Sequence, residues 1–180
     1  MENNSRKQGG NYARFFAMIG VSMIVMYGLT YLNSYQILEH ARFSETRVFM
    51  TLIMGGSMVI IMLLFMVGMY KNKKANVAIL IGGAAMILLG IYLVRSQIMV
   101  NDVTYMEGMI PHHSIAILTS ERARIEDQRV RELADGIIEA QEREIKEMDW
   151  LISDIRANGL AVTADEASER PVPDFSAAPE

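Results

Sequence analysis

The chain has 180 residues, 51% of them hydrophobic, with fifteen methionines, three histidines and no cysteine, which excludes disulfide frameworks and thiolate metal sites. Residues 1–100 carry nine Lys/Arg against three Asp/Glu and residues 101–180 carry eight against eighteen, net +6 and −10. The acidic half repels phosphate backbones and favours cations, so nucleic acid is excluded as a partner.

A polar, Gly/Asn-rich start with Arg6 and Lys7 leads into an apolar run from about Tyr12 to Asn33. This is near the roughly 20 residues of a spanning helix, longer than the roughly 7 to 15 of a signal-peptide core, and no A-x-A site follows. It is predicted to be an uncleaved transmembrane helix. Further uncharged runs at about 48–70 and 75–94 predict two more spans in a lipid bilayer. Arg6, Lys7 and Arg14 lie at one end of the first run, and Lys71, Lys73 and Lys74 join the second and third, which places the N-terminus in the cytoplasm. The loop from Gln36 to Arg47 and everything after Asn101 are then outside the cytoplasmic (inner) membrane of a bacterium, periplasmic or extracellular. None of the three runs carries an ionisable residue at depth, an argument against a pump or coupled transporter. Ala78, Gly82, Met86 and Gly90 form a ridge suited to close helix approach, read mainly as packing within one chain.

Beyond Asn101 the apolar period becomes that of amphipathic helices. Asn101 or Asp102 caps a first helix, which Pro111 should start or bend. Asp127 caps a second, whose buried stripe is predicted as Val130, Leu133, Ala134, Ile137, Ile138, Gln141, Ile145, Met148, Leu151, Ile152 and Ile155, with Gly159 as its stop. Glu139 with Arg143 and Glu142 with Lys146 stand four apart on its exposed side. The fold class is all-α: three transmembrane helices followed by an antiparallel helical hairpin over 101–159. A hairpin of this size is a thin core, and two would make a four-helix bundle, so a homodimer is expected. Residues 160–180 are read as a disordered acidic tail.

The chemistry concentrates at YMEGMIPHH, Tyr105 to His113, answered by AQEREIKEMDWL, Ala140 to Leu151. On a helix, Met106, Met109 and His113 are spaced i, i+3 and i+7, His112 sits beside Met109, and Met148 on the second helix can complete the set. Thioethers with imidazoles favour Cu(I). The competing reading is adaptable methionine packing and a satisfied histidine pair. The inward Glu-x-x-His of di-iron bundles and the H-E-x-x-H of zinc proteases are absent. A further row, Met50, Met54, Met58, Met62 and Met66, drifts about 40° per step around its helix, so the five cannot all meet one site while the middle three can share a face.

MxxMIPHHxxAI followed by IxxAQxxEIxxMxWL resembles the signature of the family catalogued as DUF305, a domain of unknown function whose members are ferritin-like helical proteins often associated with copper handling. The resemblance spans about residues 101–155 and implies copper binding through Met106, Met109, His112, His113 and Met148. The expected function is a membrane-anchored copper-binding protein, not an enzyme, that sequesters Cu(I) or passes it to another copper-handling protein. The alternatives are a membrane scaffold without metal and a copper-conducting channel through the methionine-rich spans.

Overall fold

The computed structural model describes residues 2–32, 34–36, 39–40 and 42–176, with side chains from Tyr12 onward. Its described secondary structure is helical, six helices with no strand: α1 Glu2–Leu29, α2 Glu45–Phe65, α3 Lys73–Ser96, α4 Asp102–Arg122, α5 Gln128–Asn158 and α6 Ala164–Glu169, with a 3-10 turn at Val67–Met69. Three segments are long and apolar enough to cross a membrane, Tyr12–Leu29, Glu45–Phe65 and Lys73–Ser96. The helices shift the expected ends. The first stops at Leu29, where Thr30 Oγ1 donates to the Tyr27 carbonyl at 2.6 Å, and the expected limit Asn33 lies outside the described residues. The second gives way before Tyr70 to the 3-10 turn. The chain divides into two compact units, one of Met1–Thr30 with Glu45–Met99, the other of Tyr31–Ser44 with Val100–Glu180.

Within the first unit, α2 and α3 meet backbone to backbone. A Cβ built on Gly56 would lie 2.7 Å from the Gly83 carbonyl oxygen, and one on Gly90 3.0 Å from the Phe49 carbonyl. Glycine is required there because any side chain would push the helices apart. The ridge is therefore Gly83 and Gly90 with Met86, not the expected series through Ala78 and Gly82. Gly82 faces open space, because a four-residue step drifts around the helix whereas the seven-residue step from Gly83 to Gly90 nearly closes. The same drift sorts the methionines of α2. Met50 and Met54 are exposed, whereas Met58, Met62 and Met66 pack with Met23 against Phe15, Ile19, Val59 and Leu63. Nearby, the buried Asn76 amide is satisfied on both sides, accepting from Tyr12 Oη at 2.7 Å and donating to the Tyr70 carbonyl at 2.8 Å.

In the second unit, α4 starts at an Asn101–Thr104 capping box and runs unbroken through Pro111, whose ring is fully buried. Pro111 therefore does not start the helix. Asp127 caps α5 by accepting from Arg129 N at 2.9 Å, and Gly159, at φ 81°, ends it. Contacts between α4 and α5 run in reversed order: Glu107 meets Arg156 at 2.6 Å and His113 meets Glu144 at 3.0 Å. Met106, Ile110, Ile117, Ile145, Met148 and Ile152 form their shared core. The expected stripe of α5 is only partly used. Ala134, Ile145, Met148 and Ile152 are buried, but Val130 and Leu133 stay 48% and 64% exposed, since α4 covers one side of a broader apolar face. The expected ion pairs also differ, with Arg131–Asp135 and Arg143–Glu147 forming instead. The tail, read as disordered, contains α6, held by a Thr163–Glu166 capping box and tied back by Arg170 to Asp154 at 2.6 Å. The tail's last four residues lie outside the described part.

The loop Tyr31–Ser44 belongs with α4 and α5, a placement its composition does not suggest. Tyr35 N donates to Ser114 Oγ at 2.7 Å, His40 Nδ1 lies 2.8 Å from the same oxygen, and Arg42 pairs with Asp149 at 3.1 Å. Gly108 leaves room for the strap, since a Cβ there would sit 3.2 Å from Ser44 Oγ.

Candidate metal centre

The histidine pair sits midway along α4, where the helical period sends the two rings in different directions. Their centroids are 6.1 Å apart at an interplanar angle of 61°. His112 is exposed and His113 is half-buried against α5, its side chain only 13% exposed. His113 Nδ1 lies 3.0 Å from Glu144 Oε2. The N–H does not point squarely at that oxygen, so Nδ1 has no aligned hydrogen-bond partner and the contact is chiefly electrostatic. Gln141 Nε2 reaches the same Glu144 oxygen at 3.3 Å. A carboxylate beside Nδ1 favours the proton on that nitrogen, which leaves the Nε2 lone pair free for a ligand bond.

Of the remaining predicted residues, Met106 and Met148 are buried within the α4–α5 core and Met109 is partly buried against it. The structure thus brings Met106, Met109 and Met148 to one cluster, sets His113 against Glu144 of α5 and turns His112 to solvent. Among the described residues no three His, Asp or Glu side chains converge as a metal cluster. A metal at this place would have to use thioether sulfur, which suits Cu(I) and not hard cations.

Sequence reasoning missed Glu144 and the strap. Glu144 lies inside the quoted AQEREIKEM segment, and only its position facing His113 marks it out. His40 is the third histidine of the chain, brought to Ser114, the residue after the pair. Ser114 is 0% exposed and already accepts from Tyr35 N. His40 Nδ1 and the Ser114 hydroxyl share a hydrogen bond whose donor follows the tautomer of the ring. With no exposed surface, Ser114 offers no nucleophile to a substrate, and the contact works as a clasp.

Burial holds both His40 and His113 below the ordinary histidine range, against the opposing pull of Asp149 on the first and Glu144 on the second. The unfolded chain takes up protons near the ordinary histidine value of 6.5, where the folded rings resist. The native state then binds fewer protons than the unfolded one, so stability falls as pH drops below about 6.5 and the loss is complete below the folded values. Thermal melts followed between pH 7.5 and 5 should show this decline, and His40→Gln with His113→Gln should flatten it.

The family model described as Domain of unknown function (DUF305) matches residues 102–174, covering α4, α5 and α6. An uncharacterized protein of Acanthamoeba polyphaga mimivirus is 34% identical over 108 residues, 59% of this chain and 69% of that protein. The chain belongs to the DUF305 family. No solved structure matches it. In DUF305 terms, the matched region contains both the histidine pair and the Gln141–Glu144 arm that faces it.

Proposed function

We propose that this DUF305 protein is a membrane-anchored copper-binding protein that sequesters Cu(I), or hands it to another copper-handling protein, outside the cytoplasmic membrane. The observation that carries the reading is His113 Nδ1 at 3.0 Å from Glu144 Oε2, the carboxylate–imidazole pairing that orients metal-binding histidines. On this reading α4 and α5 are an antiparallel hairpin, a ferritin-like half-bundle completed by a second copy. His113 Nε2, His112 and Met109 take the ion, with Met106 and Met148 beneath them as inner thioethers. The copper is cargo, and the acidic half of the chain, at net −10, raises the local concentration of cations. Anaerobic titration of the full chain with Cu(I) against a chromophoric chelator tests this directly. Stoichiometric binding that outcompetes the chelator supports it, and binding no stronger than that of free methionine removes it.

Glu144→Gln supplies a sharper check. It should lower Cu(I) affinity at neutral pH by about 10- to 100-fold. Loss of the carboxylate also takes away what raises the His113 pKa, so the variant's affinity should depend less on pH in the acid range than the wild type's. A role in packing alone would leave the pH profile where it was.

A second reading is favoured by Met106 and Met148, which lie in the core as ordinary packing residues. It makes the chain a membrane scaffold in which the histidines pack and no metal is held. The two readings part on whether Met148→Leu, a near volume-conserving change, weakens copper binding while leaving the fold intact.

A further inference from the structure

The strap Tyr31–Ser44 does not close flat onto the helices beneath it. Between it, α4 and α5 the chain leaves a cleft of about 380 Å³, within the range of small-ligand sites, about 300 to 1,000 Å³. The floor is apolar, Ile117 and Ile145 being 3% and 6% exposed. The strap wall is fixed before any ligand arrives. Tyr35 donates from both ends, its N to Ser114 Oγ at 2.7 Å and its Oη to Glu121 Oε1 at 3.3 Å. His40 Nδ1 shares a hydrogen bond with the same Ser114 oxygen, and Arg42 donates to Asp149 Oδ1 at 3.1 Å. The opposite wall is one face of α5, with Glu142, Lys146 and Asp149 at i, i+4 and i+7. Glu142 and Lys146 stand in the order and spacing that favours a helix ion pair. Even so, neither side chain has a hydrogen-bond or ion-pair partner among the described residues.

We propose that this cleft binds a free α-amino acid with an apolar side chain. Such a molecule is a zwitterion with an apolar branch, and the cleft offers a match for each part. Glu142 takes the ammonium, because Asp149 is already compensated by Arg42. Lys146, the cation of the cleft without a partner, takes the carboxylate one turn further along α5. The branch covers Ile117 and Ile145 beside the Tyr35 ring, exchanging water for an apolar floor. Both charges are needed for selection. A simple amine leaves Lys146 unmatched, and a simple acid brings a second negative charge to Glu142. A bare metal ion does not fit, since no three His, Asp or Glu side chains converge among the described residues. An exposed helix ion pair contributes little, so a ligand entering between Glu142 and Lys146 gives up almost nothing. The preset strap wall lowers the ordering cost of binding. None of the residues named for the cleft is among the proposed copper ligands, so the inference stands whether or not the chain binds copper.

Equilibrium dialysis of radiolabelled leucine against the full chain in lipid nanodiscs, in metal-free buffer, tests this. Leucine should bind saturably, one per chain, above the background of empty nanodiscs. Leucinamide lacks the carboxylate and N-acetylleucine lacks the ammonium, and each should compete at least about tenfold less well, the worth of one hydrogen bond to a charged group. Glycine, without the branch, should also compete less well. Lys146→Met should weaken leucine by a similar factor and leave leucinamide unchanged. Glu142→Gln should weaken leucine likewise and leave N-acetylleucine unchanged or improved. Both side chains belong to exposed residues, so the melting temperature of each variant should match that of the wild type. Equal competition by leucine, leucinamide and N-acetylleucine would reduce the cleft to an apolar slot and overturn the proposal. Absence of saturable leucine binding, or leucine binding unchanged in both variants, would overturn it as well.

Discussion

Changing His112 and His113 together to alanine is expected to lower Cu(I) affinity by at least about a hundredfold, since even an outer partner of a ligand histidine contributes 10- to 100-fold. The change should leave the fold in place. His112 is exposed, and His113 makes no aligned hydrogen bond through Nδ1 that the change would break, so the helical circular dichroism and melting temperature should move little. Single variants separate the roles. His113→Ala should cost more than His112→Ala, because only His113 has a carboxylate fixing its ring, and a lost preorganised ligand weighs more than a freely rotating one. Chelator competition on all three variants reads the result. Equal affinity in the wild type and the double variant would return the histidines to a structural role and make the scaffold reading the better account.

Ile110→Ala should produce the largest loss of stability available from one side chain in the α4–α5 unit, about 2–5 kcal/mol. Ile110 is 0% exposed at the centre of a cluster with only five other buried members, so little surrounding mass can collapse into the space. The strap and α5 press on adjacent faces of the same turn of α4, Ser114 receiving Tyr35 and His40 while His113 faces Glu144. Thermal denaturation should show the effect, and copper affinity should fall with it although no ligand has been touched. Val59→Ala, in the cluster of the other unit, should leave both the α4–α5 transition and copper affinity as they are. Loss of copper binding in both variants would mean that the units do not act separately.

Much of the architecture could be read from residue order. Long uncharged runs mark the three apolar helices because a spanning helix must be continuous and uncharged to be stable in hydrocarbon. Asn101, Asp127 and Gly159 mark helix ends because capping chemistry is local. Family membership followed from the same kind of signal, the fixed spacing of methionines, the histidine pair and the AQ-x-x-E-I segment. The error in the α3 ridge was also one of local geometry, Gly82 and Gly83 differing by 100° around a helix, and nothing in the sequence says which direction α2 will occupy.

What only the tertiary structure decided is where distant segments come to rest. The sequence by itself determined three membrane-length helices, two amphipathic helices and a group of methionines and histidines at the start of the second half, since each depends on period, composition or capping within a few turns. Tertiary contact decided that Tyr31–Ser44 straps onto α4, that Ser114 binds His40, that Glu144 faces His113, and that Leu133 and Gly136 are left uncovered. Those contacts join residues tens of positions apart through single side chains. The packing around each one selects it, and no local periodicity records it.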